Sequence, residues 1–149
     1  KIPDVNFTTD VMVGFPGETD EEFTQSYDFC KEMGFLWIHV FKYSPRKGTA
    51  AAKFPDQIQP GIKEKRSKRL IKLASRMRNN VFEKYLGRQA DIILEQEIEG
   101  SHGDMEGLTS NYIPVAVKIE NVNSGEIISV TLDSIESERM RGTASFITV

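Results

Sequence analysis

The chain has 149 residues, 39% of them apolar and 28% charged, with a formal net charge of −3 and one cysteine. That length supports one medium domain or two small ones with a real core, and the longest apolar run is only about half a bilayer span. Cys30 alone can form no intramolecular disulfide, and it can hold neither a zinc ion nor an iron–sulfur cluster, which take about four ligands. The first residues, from Lys1 to Asp4, lack the layout of a secretory signal, so the protein is read as cytoplasmic and without a membrane partner. Charge is segregated along the chain. Residues 1–60 carry 6 basic and 9 acidic side chains, residues 61–88 carry 10 and 2, and residues 89–149 carry 3 and 11. A polyanion is therefore drawn to the middle segment.

Residues 5–15 alternate apolar odd positions (Val5, Phe7, Val11, Val13, Phe15) with polar or unusual even ones, the period of a strand. A helix over 20–33 follows. Thr19 is its N-cap with Glu22 three residues on, Phe23, Tyr27 and Cys30 recur at helical spacing, and Gly34 is the stop. A second strand over 35–43 completes a strand–helix–strand unit within about 40 residues, which reads as a parallel crossover and not a hairpin. After a proline-containing loop, a helix from 59 or 60 to 85 has an apolar face of Leu70, Leu73, Met77, Val81 and Tyr85, with basic residues over much of the rest. Gly87 ends it. Beyond it, short β-rich runs over 90–97, 113–119, 127–132 and 141–149, separated by turns, are the pattern of a small antiparallel barrel.

Several residues could carry chemistry. Asp10 sits on the polar side of the first strand, either hydrogen-bonded within the fold or facing a ligand. The segment from Gly14 through Gly17 and Glu18 to Thr19, at the C-terminal end of that strand, is either a plain strand-to-helix turn or a binding loop; no Gly-Lys-Ser/Thr follows, so it is not a phosphate loop. On the second strand Leu36, Ile38 and Val40 form an aliphatic face. Phe35, Trp37, His39, Phe41 and Tyr43 form an aromatic one that suits a flat ligand such as adenine, or His39 is an ordinary core histidine. Arg46 at the same rim can clamp a carboxylate or phosphate, or can simply be a surface arginine. The basic helix, with Arg66 and Arg69, is an RNA-facing or a merely solvated face. Tyr112 beside Asn111 is a stacking residue or plain barrel core, in a segment whose net charge of −8 argues against strong RNA binding.

Residues 9–23 (TDVMVGFPGETDEEF), residues 39–51 (HVFKYSPRKGTAA), and Arg66 and Leu70 on the basic helix together resemble the radical S-adenosylmethionine methylthiotransferases. The segment 103–117, with GLTSNY at 107–112, is similar to the TRAM domain of those enzymes, so the resemblance covers essentially the whole chain. It implies an α/β fold. Residues 1–86 would be the C-terminal portion of a partial (β/α) radical SAM barrel with the long basic helix, and residues 87–149 a TRAM-like, OB-like β-barrel. It implies S-adenosylmethionine and two 4Fe–4S clusters as cofactors of a full-length parent, with the cluster motifs absent from this chain. It also implies a 5′-deoxyadenosyl radical that abstracts hydrogen from the target carbon. Carried over, Asp10, Gly14, Gly17, Glu18 and His39 would line the S-adenosylmethionine side, while Arg46, Arg66, Arg69, Asn111 and Tyr112 would meet substrate or RNA.

Within the family, the HVF form before Tyr43 looks most like the branch that methylthiolates N6-threonylcarbamoyladenosine next to the tRNA anticodon. The isopentenyladenosine branch, the ribosomal-protein branch and a non-catalytic RNA- or protein-binding module stand as alternatives; the acidic barrel suits a basic protein, and the basic helix suits tRNA. The chain alone is expected to be inactive, with no catalytic or metal-binding residue of its own. Self-association of the truncated barrel through residues 5–15 is expected, because an incomplete parallel sheet exposes an edge and an apolar face.

Overall fold

In the computed structural model, residues 2–145 are described. They form two compact units, residues 7–78 and residues 2–6 together with 79–145.

In the first unit, strand β1 (Thr8–Val13) leads through a tight loop into helix α1 (Asp20–Met33) and back to strand β2 (Trp37–Lys42), which pairs with β1 in parallel, Asp10 opposite His39 and Met12 opposite Phe41. The start of α1 is fixed locally. The Thr19 hydroxyl accepts from the Glu22 amide at 3.1 Å and the Glu22 carboxylate accepts from the Thr19 amide at 2.8 Å, satisfying two amides that the helix cannot satisfy itself. Gly34 closes the helix in the left-handed conformation, φ 65°. Helix α2 (Pro60–Glu83) begins in this unit.

Because side chains alternate across a strand, one face of the pair takes Val11, Val13, Ile38 and Val40 into a core with Phe23 and Cys30 of α1 and Leu70, Leu73, Ala74 and Met77 of α2. The opposite face keeps Asp10, Met12, His39 and Phe41 exposed. The expected aromatic row is shorter than its alternation suggests. Phe35 precedes β2 and turns into the core, and Tyr43 follows β2 and is buried, because the regular pleat spans only Trp37–Lys42.

In the second unit, strands β3 (Gln89–Glu97), β4 (Asp104–Thr109), β5 (Pro114–Lys118), β6 (Ile127–Glu136) and β7 (Arg139–Ala144) close a barrel in the order β3-β4-β5-β7-β6. All its pairs are antiparallel except β5 with β7, which is parallel, and this is the arrangement of an OB-like five-stranded barrel. Ile92, Leu94, Ile113, Val115, Val117, Val130, Leu132 and Met140 fill the interior at 1% exposure or less, so the lumen is a packed core. Strand β4 falls outside the four expected β-rich runs. Its central Gly107 lowers β-propensity, yet glycine is required there, since a Cβ would lie 2.6 Å from the Ile93 carbonyl oxygen. The last expected run ends as β7 at Ala144, and its residues 146–149 lie outside the described residues.

Candidate functional site

The two sequence motifs meet on the exposed face of the parallel pair. Asp10 and His39 are register partners in mid-strand, both exposed, with Met12 and Phe41 beside them toward the C-terminal ends. At those ends the face runs into a cleft of about 310 Å³ lined by Met12, Phe41, Tyr43, Ser44, Arg46 and Thr49. Asp10, His39 and Arg46 are thus presented from one unit to one open surface: a carboxylate, an imidazole and a guanidinium around an apolar floor. Trp37 is half-buried, with the Arg78 guanidinium 4.5 Å from its ring centre.

The loop after β1 turns the other way. Glu18 N–H donates to the Phe15 carbonyl at 2.9 Å with Pro16 and Gly17 between them, Gly17 at φ 85°, as a type II turn demands. The Glu18 carboxylate accepts from the Gly14 amide at 2.6 Å and from Arg66 Nη1 at 2.6 Å; Arg66 also donates to the Glu18 carbonyl at 3.0 Å and to Asp20 at 2.7 Å. Arg66 is 5% exposed. The structure therefore places Glu18 and Arg66 together, each the partner of the other, which fastens the loop to α2. Burial alone would lower the Arg66 pKa, but the hydrogen bonds to Asp20 and Glu18 outweigh it and raise it, and the same contact lowers the Asp20 carboxyl.

Lys63 belongs to this assembly and no sequence signal singled it out, because a buried lysine on a basic helix looks like its neighbours. Its Nζ donates to the Tyr43 carbonyl at 3.0 Å, it stands 5.0 Å over the Tyr43 ring, and its stem fills the space a Cβ at Gly14 would need. Gly14, at φ 76°, is explained by that packing; at Gly17 the space beside Cα is open. Arg69 is exposed, with its guanidinium 5.1 Å from the Phe23 ring and 5.3 Å from the Tyr27 ring. Lys65, Lys68, Lys72 and Arg76 share its solvent exposure and form the basic side of α2.

In the barrel unit Asn111 is a fastening residue. Its Nδ2 donates to the Tyr85 hydroxyl at 2.7 Å and to the Asp4 carbonyl at 2.9 Å, and its backbone carbonyl accepts from the Asn6 side-chain amide at 2.9 Å. Tyr112 next to it is 69% exposed, so it is not barrel core. No group of three or more His, Cys, Asp and Glu among the described residues could hold a metal ion, and no helix among them is long and apolar enough to cross a membrane.

No family model matches the chain. It is 38% identical over 133 residues, 88% of its length, to a threonylcarbamoyladenosine tRNA methylthiotransferase of Bacillus subtilis, of which it covers 30%. It is 32% identical over 145 residues, 97% of its length, to a tRNA-2-methylthio-N(6)-dimethylallyladenosine synthase of Pelotomaculum thermopropionicum, of which it covers 32%. Over most of its own length the chain is homologous to tRNA methylthiotransferases. It is also 35% identical over 133 residues to the synthase of the latter kind from Bdellovibrio bacteriovorus, of which it covers 28%. The chain thus spans about a third of the length of the methylthiotransferases it matches.

Proposed function

We propose that this chain is part of a tRNA methylthiotransferase that adds a methylthio group to C2 of N6-threonylcarbamoyladenosine beside the anticodon, with residues 1–86 as the radical SAM portion and 87–149 as the TRAM-like barrel. The observation that carries the reading is the pairing of Asp10 with His39 on one open face, which ends at the cleft of Arg46, in a chain that also carries an OB-like barrel. S-adenosylmethionine fits that face better than it fits the loop. Asp10 offers a carboxylate to ribose hydroxyls or an ammonium group, His39 offers an imidazole, and Met12 and Phe41 offer an apolar floor for adenine. Glu18 and Gly14 are taken up by Arg66 and Lys63, so in this reading they shape the rim and Gly17 alone leaves room for close approach. When bound, S-adenosylmethionine supplies both the radical chemistry and the methyl group.

Iron–sulfur clusters do not fit the residues present: the single cysteine, Cys30, is buried in the core with its thiol pKa raised by burial. The chain alone is therefore expected to turn over no S-adenosylmethionine, and the clusters of the parent would be held by other segments. The exposed cations of α2 supply attraction for tRNA in the cytoplasm. The threonylcarbamoyladenosine branch rests on the HVF form at 39–41 and on the name of the Bacillus subtilis relative; the names of the other two relatives support the dimethylallyladenosine branch as the alternative.

The deciding experiment expresses the full reading frame, with reconstituted clusters, in cells lacking the endogenous activity and reads total tRNA nucleosides by mass spectrometry. The expected product is 2-methylthio-N6-threonylcarbamoyladenosine. Appearance of the isopentenyladenosine product instead would transfer the protein to the other branch, and an unchanged tRNA pool beside a methylthiolated ribosomal protein would overturn the tRNA assignment.

A further inference from the structure

The barrel unit holds a cleft of about 570 Å³ whose walls come from residues 2–6, from Tyr85 to Asp91 and from the β4–β5 turn, Thr109 to Tyr112. Two non-glycine residues with left-handed backbone stand in it, Asp4 at φ 51° and Tyr112 at φ 65°. For a bulky aromatic residue this conformation is a true outlier, and such strain persists only where the surroundings impose it. Here they do. Tyr112 N–H donates to the Thr109 carbonyl at 3.0 Å, the Thr109 and Asn111 side chains are bonded at 2.6 Å, and Asn111 reaches both the Asp4 carbonyl and the Tyr85 hydroxyl. A rigid polar scaffold thus holds Tyr112, a residue 69% exposed, at the mouth of a cleft.

Across the cleft, the Arg88 guanidinium lies 5.0 Å from the Tyr85 ring centre and 3.8 Å from the Asp4 carboxylate, a contact loose enough to leave its donors available. Asp4 and Asp91 add carboxylates to the lining. The wall therefore offers an aromatic platform, one cation and two acceptors, in a barrel whose overall charge is acidic. That combination disfavours tracking a phosphate backbone, yet it suits a single neutral base with an exocyclic amino group, stacked by its face and bonded at its edge.

We propose that this cleft is a subsite for one unpaired, amino-bearing nucleobase of RNA, stacked on Tyr112 with Arg88 at the neighbouring phosphate. The inference rests on the RNA-directed reading above and adds to it a named site on the barrel, with Tyr112 and Arg88 as binding residues.

The test uses the full chain and an RNA hairpin whose single-stranded loop carries 2-aminopurine, an amino-bearing base whose emission drops when it stacks. Emission falls on binding to the wild-type chain and to Tyr112→Phe. Tyr112→Asn keeps a residue tolerant of the left-handed backbone while removing the ring; it abolishes the drop and weakens binding about tenfold. Arg88→Gln retains the drop but reduces the dependence of log K on log salt by about 1. If Tyr112→Asn binds the hairpin as tightly and quenches it as fully as wild type, the subsite is wrong and RNA binding stands. If the wild-type chain binds no hairpin even at low salt, both readings fall. A Lys- and Arg-rich peptide that binds in a Tyr112-dependent way while the hairpin does not would make the cleft a protein-binding site and overturn the proposal.

Discussion

Arg66 shows how little a residue type says about its task. On the helix it reads as one more cation of a solvated face, yet the residue is 5% exposed and its guanidinium ends on Glu18 and Asp20. Those partners differ. The Glu18 side chain is 14% exposed and that of Asp20 is 88% exposed, so removing Arg66 strands a carboxylate mainly at Glu18. Arg66→Ala is expected to destabilise the chain by about 3 kcal/mol, as loss of one member of a buried pair does, measured as a drop in the urea midpoint at unchanged slope. Arg66→Lys recovers only part of this, since an ammonium cannot reproduce a fork that serves two carboxylates and a carbonyl. Equal midpoints for wild type and Arg66→Ala would show that the loop is held by other contacts. Asp10, His39 and Arg46 were legible as one surface because strand alternation and a motif at the strand end place them. The engagement of Glu18 and the burial of Lys63 were not, since both depend on helix α2 approaching the loop, with Arg66 48 residues beyond Glu18.

At the level of elements, α1 is the most local piece of the fold. Its cap, its acidic first turn and its terminating glycine all act within one turn of the chain, which is why its limits could be read from the sequence. Thr19→Ala should cost about 1 kcal/mol while Thr19→Ser is nearly neutral, both by urea denaturation. The same turn sets an acid response. Glu22 is held below its ordinary value of 4.5 by the Thr19 amide and hydroxyl, and Asp20 below its ordinary 3.8 by Arg66. Glu64 is lowered from 4.5 by Lys42 and Lys68. A depressed carboxyl stabilises the fold fully above its ordinary value and loses that contribution as pH falls through the lowered one, so the melting temperature should decline as pH drops below 4.5 and then 3.8. Glu22→Gln should flatten the upper part of that decline; a melting temperature constant across the acid range would refute the assignment. Strand β4 is the contrary case. Its glycine weakens every local signal, and pairing with β3 and β5 makes it a strand.

For the whole chain, the decisive feature is the two-stranded parallel sheet. Parallel sheets are ordinarily covered on both faces, but β1 and β2 leave Met12 at 53% and Phe41 at 50% exposure on the side away from the helices. We expect the isolated chain to self-associate through this face and the free edge of β1, with a sedimentation coefficient that rises with concentration, and the Met12→Lys, Phe41→Glu double variant to suppress the rise without altering the circular dichroism spectrum. A monomer at all concentrations in the wild type would count against it.

The sequence by itself determined the element types other than β4, and the apolar face of α2, because periodicity, caps and turn glycines act over a few residues. It also carried the family, because the two motifs are contiguous. Only the tertiary structure decided which charged groups are consumed internally and which are presented. Arg66, Glu18 and Lys63 turned inward and Tyr112 outward, since burial of a side chain depends on which distant backbone arrives beside it.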